Sequence, residues 1–131
     1  MKVNLEQTRE YYQTLTKEDI CQCDYCRNYA KLVRDAYPQV SKYLDKFGID
    51  IEKPYELGMP FDDKVNRRLN YHFCMYLVFG SCEDDFSELI DDIEFCKAIS
   101  FPKPNVEPKE PYFILECFGV CLDMDDEFDF D

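Results

Sequence analysis

The chain has 131 residues, 46% hydrophobic and 16% aromatic, with eight Cys, one His, no Trp and a net charge of −13. That length suits one domain able to bury about two-thirds of the surface its unfolded form exposes, and the apolar content excludes a disordered chain. The acidity argues against binding nucleic acid or an anionic membrane.

The first twenty residues carry no apolar signal region, and the longest apolar run, Phe73 to Phe79, is far short of the roughly 20 residues a membrane helix needs. The expectation is a soluble cytoplasmic protein whose cysteines are free thiols, metal ligands or redox groups.

Taken in chain order, Arg9 to Leu15 reads as a strand. Thr16-x-x-Asp19 reads as a capping box opening a short helical turn through Ile20. Asp24 is a candidate N-cap for a helix to about Tyr37, with Cys26, Tyr29, Ala30, Val33 and Tyr37 on one stripe. Pro38 opens a second helix carrying Val40, Tyr43, Leu44 and Phe47, stopped by Gly48. Residues 24–48 are therefore expected to form a helical hairpin.

Beyond Gly48 the period changes. Tyr55-Glu56-Leu57 reads as a short extended piece, and 58–66 as a loop. From Arg68 to Phe79 the alternation predicts one strand. Its apolar face is Leu69, Tyr71, Phe73, Met75, Leu77 and Phe79, and its mixed face includes His72, Cys74 and Tyr76. Residues 91–99 suggest a further strand, with a helix over 86–97 as the rival reading. Four prolines make 101–111 a loop. Tyr112 to Leu122 reads as a central strand, and 123–131 as an acidic tail. Helices followed by strands predict a single α+β domain, 1–131, with the hairpin packed on one face of an antiparallel sheet of about three to five strands.

Charge is distributed unevenly. Residues 79–131 hold three Lys/Arg against sixteen Asp/Glu, which matches the whole chain's −13. This face either keeps the protein in solution or meets a basic protein partner.

The segment with chemical potential is Cys21-Gln22-Cys23-Asp24-Tyr25-Cys26. Three thiols at a helix start can converge on one point, as a tetrahedral zinc site requires. The Cys23–Cys26 spacing matches a zinc knuckle, but a second C-x2-C pair is missing. A fourth ligand would have to come from His72, Cys74, Cys82, Cys96, Cys117 or Cys121. A second reading takes Cys23 and Cys26 as a redox dithiol aided by the helix dipole, an effect of only about 0.3–1 kcal/mol and opposed by Asp24. A third treats the thiols as small buried hydrophobes, which suits Cys26, Cys117 and Cys121 on their apolar stretches.

Other candidates carry less. His72 and Cys74, two apart on a strand, point outward in parallel rather than meeting. Asp123, Asp125 and Glu127 resemble calcium-loop spacing, but Phe128 stands where that loop needs glycine. No phosphate-cradling loop or nucleophile elbow occurs.

The run Asp19-Ile20-Cys21-Gln22-Cys23-Asp24-Tyr25-Cys26-Arg27-Asn28-Tyr29, with Gly48-Ile49-Asp50 and Val78-Phe79-Gly80, resembles a family of small uncharacterised bacterial proteins. The resemblance implies a bacterial cytosolic setting and no activity. The resulting expectation is a non-enzymatic acidic interaction or accessory protein, with a small zinc-binding protein and a thiol-dependent redox protein as alternatives.

Overall fold

The computed structural model describes residues 1–104, 108–126 and 128. It is α+β, with three helices and a mainly antiparallel set of strands. Strand β1 (Lys2–Val3) leads into α1 (Leu5–Thr14), then a 3-10 turn (Lys17–Asp19), α2 (Asp24–Ala36) and α3 (Pro38–Asp45). Strands β2 (Glu56–Leu57), β3 (Phe61–Asp63), β4 (Arg68–Asn70) and β5 (Cys74–Ser81) follow. Next come β6 (Ser87–Ile90), β7 (Ile93–Lys97), β8 (Tyr112–Phe118) and β9 (Cys121–Asp123).

The segment read as a strand at Arg9–Leu15 is helical. Asn4 caps α1 by accepting the Gln7 backbone N–H at 3.0 Å. Its buried stripe includes Thr8 and Tyr12, and a polar Thr8 conceals the helical period from a hydrophobicity reading. The Thr8 hydroxyl accepts the backbone N–H of Phe79 at 3.1 Å, so this burial is satisfied. The helical half is thus three helices, with α2 and α3 meeting directly at Tyr37, and not the two-helix hairpin over 24–48 expected from the sequence. Side chains from all three helices reach the main core: Tyr12, Tyr29, Val33, Val40 and Leu44.

The larger sheet runs β1-β5-β8-β7-β6, with β2 beside β5 as well, and β3-β4-β9 forms a smaller sheet. Segment 86–97 is a hairpin and not a helix. Ile90 pairs with Ile93, and Asp91 and Asp92 between them have φ of 49° and 64°. Two left-handed residues make the tight turn that matches strand twist, and Asp tolerates that conformation. The expected loop 58–66 contains β3.

Two long strands expected from the sequence are each divided. Leu69 in β4 and Cys74 in β5 both face the main core, although one is odd and the other even. A change of parity requires a break, and it falls at 71–73, between the two strands. The partner ribbon breaks at the same level. Cys117 of β8 and Leu122 of β9 both enter the main core, with Gly119 between them at φ +107°. The Tyr71 N–H donates to the Val120 carbonyl at 2.9 Å, so the two bends move together.

This shift also changes which face of β5 is the main core. Cys74, Tyr76 and Val78, on the face read as mixed, pack under the helices. Met75, Leu77 and Phe79 form a second, smaller cluster with Ala98 and Ile114. Both faces of β5 are therefore buried.

The start of the acidic tail is tied down. Asn28 donates to the Asp123 carbonyl at 3.0 Å and accepts the Asp125 N–H at 2.7 Å. The tail's residues 127 and 129–131, and 105–107 of the proline-rich stretch, lie outside the described residues. Among the described residues, no helix is long and apolar enough to cross a membrane.

Candidate metal centre

The three clustered cysteines sit in the turn between the 3-10 segment and α2. Thr16 donates its backbone N–H (2.9 Å) and its hydroxyl (3.1 Å) to Asp19, so the expected Thr16–Asp19 closure is present. Gln22 donates its amide to the carbonyls of Lys17 (3.2 Å) and Ile20 (3.3 Å), folding the chain back on itself. The helix cap is Cys23, one residue before the expected Asp24. The Cys23 carbonyl accepts the Arg27 N–H at 2.9 Å.

Tyr25 docks this turn against the sheet. Its hydroxyl donates to Asp62 of β3 at 3.0 Å, and its carbonyl accepts the Tyr71 hydroxyl at 2.6 Å. The bend that divides the long strand thus places Tyr71 where it holds the cysteine turn. Asp62 keeps its other carboxylate oxygen buried with no hydrogen-bond partner.

In this arrangement the sulfurs of Cys21, Cys23 and Cys26 all lie within 4.8 Å of one another, so the group could hold a metal ion. A tetrahedral zinc with bonds of about 2.3 Å needs sulfurs about 3.8 Å apart. Closing the gap takes at most about 1 Å of rotamer adjustment. Cys21 and Cys23 are exposed and Cys26 is half-buried, so an ion has a path in from solvent.

The thiols are electrostatically unequal. The Cys21 thiol is drawn below its ordinary value, first by the backbone N–H of Cys23 and then by the Cys23 and Cys26 side chains. Burial pushes the Cys26 thiol well up, and the Cys23 and Cys21 sulfurs add to the rise. Three sulfurs crowded together resist full ionisation, and a bound cation relieves that repulsion. The thiol held down is Cys21, outside the Cys23–Cys26 pair of the redox reading.

None of the expected fourth ligands joins the group. Cys74 and Cys117 face each other across β5 and β8, deep in the core. Cys121 is held at 3.2 Å by the Arg68 guanidinium, and Cys82 contacts the Glu83 carbonyl at 3.5 Å. Cys96 lies in β7, and His72 is exposed beside the strand break. Among the described residues no His, Cys, Asp or Glu completes the set.

A cavity of about 260 Å³ adjoins the three sulfurs. Its walls come from α1 (Tyr11, Tyr12), the turn (Leu15, Ile20) and the segment Glu52–Pro60, which includes Tyr55, Leu57 and Met59. No local pattern in the sequence marks the 52–60 wall as part of the site. It is about 30 residues from the cysteines, and the pairing of β2 with β5 and the Lys53 bonds to the Tyr12 and Leu15 carbonyls bring it there.

Comparison with protein-family models, curated proteins and solved structures returns no match.

Proposed function

We propose that this protein binds zinc through the thiolates of Cys21, Cys23 and Cys26. The carrying observation is the convergence of the three sulfurs within 4.8 Å, at a turn fixed by Asp19, Tyr25 and Tyr71. Zinc suits such a donor set because it is redox-inert, accepts soft sulfur ligands and imposes no geometry of its own. With three protein ligands the fourth position is open, and it adjoins the cavity. The reading requires a reducing compartment such as the bacterial cytosol, where the thiols stay free.

Elemental analysis of protein purified without chelator tests this. The expected result is close to one equivalent of zinc, lost in Cys26→Ser and retained in Cys82→Ser. Less than about a tenth of an equivalent, with no uptake of added zinc, overturns it.

A second reading adds an interaction role, favoured by the β6–β7 hairpin. Glu88, Asp91, Asp92 and Glu94 are exposed there, Glu94 paired across the strands with a Leu89 that is 66% exposed, and Glu83, Asp84 and Asp85 are exposed just before β6. An acidic surface beside an apolar side chain fits a basic protein partner. Capture of partners at low and high salt tests it, and recovery of nothing salt-sensitive counts against it.

A further inference from the structure

We infer that the cavity beside the three cysteines is a binding site for a small apolar thiol, whose sulfur takes the open fourth position of the metal. This rests on the zinc reading above and adds to it the class of ligand.

Two features of the site lead there independently. The first is the incomplete donor set. Three sulfurs converge and no fourth His, Cys, Asp or Glu joins them among the described residues. An ion already carrying three thiolates is electron-rich, so it holds a water or a carboxylate weakly. A further soft sulfur donor suits it best.

The second feature is the chemistry of the walls. Cys21, Cys23 and Cys26 line the same 260 Å³ space as Tyr11, Leu15, Ile20, Tyr55, Leu57 and Met59. An apolar cavity of about 150 Å³ already accepts benzene. This one has room for a substituted ring or a short branched chain. The wall also carries the charged side chains of Asp19, Glu52, Lys53 and Glu56. Lys53 directs its ammonium to the carbonyls of Tyr12 (2.8 Å) and Leu15 (3.1 Å) and forms no ion pair with a carboxylate among the described residues.

The exchange balances simply. The thiol loses its proton to solvent, its sulfur forms a bond to the metal, and the water that held the fourth position leaves. Nothing is oxidised or reduced. Metal coordination keeps the ligand sulfur as a thiolate near neutral pH, where the free thiol is mostly protonated. Met59, 70% exposed at the cavity wall, is where the ligand's apolar body meets solvent.

The test uses the full chain loaded with cobalt(II) in place of zinc, under a phosphine reductant, with phenylmethanethiol as the probe. Cobalt reports its ligands through visible absorption. The expected result is a saturable shift toward a four-sulfur spectrum. Phenylmethanol should leave the spectrum unchanged, and mercaptoethanol should bind at least tenfold more weakly. Met59→Glu, at an exposed position, should weaken phenylmethanethiol fivefold or more and leave cobalt affinity unchanged. A cobalt spectrum unmoved by the thiol overturns this inference alone, as does a thiol that strips the metal or one bound no better than mercaptoethanol. Protein that takes up no cobalt or zinc overturns the metal reading with it.

Discussion

Tyr29 of α2 and Tyr76 of β5 join hydroxyls in the centre of the core, and Tyr76 donates its own hydrogen to the carbonyl of Ile51 at 2.7 Å. Both rings are fully buried, and the relay connects a helix, a strand and the segment after α3. Its two members are unequal. Removing the Tyr76 hydroxyl strands both the Tyr29 hydroxyl and the Ile51 carbonyl. Tyr76→Phe is expected to cost about 2–4 kcal/mol and Tyr29→Phe about 1 kcal/mol, measured by urea denaturation. Equal costs would mean that the relay does not run in this direction.

The same burial predicts alkaline sensitivity. Burial raises the phenol pKa of Tyr12, Tyr29 and Tyr76 well above the ordinary value near 10. Above pH 10 the unfolded chain releases these protons while the native state keeps them. The stability these tyrosines contribute is therefore complete below about pH 10 and falls as pH rises, by about 1.4 kcal/mol per pH unit for each tyrosine. Denaturation midpoints from pH 8 to 11.5 should decline gently from about pH 9, as the thiols of Cys26 and Cys117 begin to ionise in the unfolded chain, and more steeply above pH 10 as the tyrosines join them. The chain has ten Tyr and no Trp, so phenolate absorbance should rise in two stages, the accessible tyrosines first and the buried three in the same step as unfolding.

Metal affinity should climb with pH. Each thiol still protonated must release its proton to bind, and Cys26, held up by burial, is the last to ionise. Cys21, already drawn down, releases first. Between pH 6 and 7 the zinc association constant is expected to rise between about a hundredfold and a thousandfold, read by competition with a chromophoric chelator. A tenfold rise would indicate that only one thiol takes part.

Tyr25→Phe should weaken zinc binding without touching a ligand. The substitution removes the bond to Asp62 that docks the cysteine turn on β3, while the Tyr71 bond to the Tyr25 carbonyl survives. Loss of an outer contact that orients ligands typically lowers metal affinity about tenfold to a hundredfold. An unchanged affinity would show that the turn holds its shape alone.

Gly80 allows β1 to pair with β5. A Cβ at this position would sit 2.0 Å from the Lys2 carbonyl oxygen, and φ is +134°. Gly80→Ala is expected to cost about 2–4 kcal/mol and to free the first three residues, seen as faster amide exchange at Asn4, whose N–H donates to the Phe79 carbonyl at 2.9 Å. Protection left intact at this amide would show that the backbone adjusts.

Local signals in the sequence were reliable where the physics is local. The helices at 24–36 and 38–45 follow from a 3,4 stripe, Pro38 at the first turn and Gly48 at the stop. The Thr16–Asp19 closure is also a contact between near neighbours. At Arg9–Leu15 the reading failed because Thr8 fills a core position with a hydroxyl that a distant backbone N–H satisfies. Over 68–79 and 112–122 it failed differently. Alternation continues across 68–79 and an almost unbroken apolar run across 112–122, but the parity facing the core reverses at 71–73 and at Gly119.

The order of residues by itself determined that three thiols lie within six positions beside a helix start, and that the acidic charge collects after residue 79. The spacing of the thiols is covalent, and so is the grouping of the carboxylates. Tertiary structure alone decided that His72 and five other cysteines stand apart from the cluster, and that Tyr71 and the 52–60 segment adjoin it. Those neighbours are fixed by strand pairing and by two coupled bends, which bring together residues remote along the chain. Chain closure over such distances depends on the whole core, so no short window of sequence encodes it.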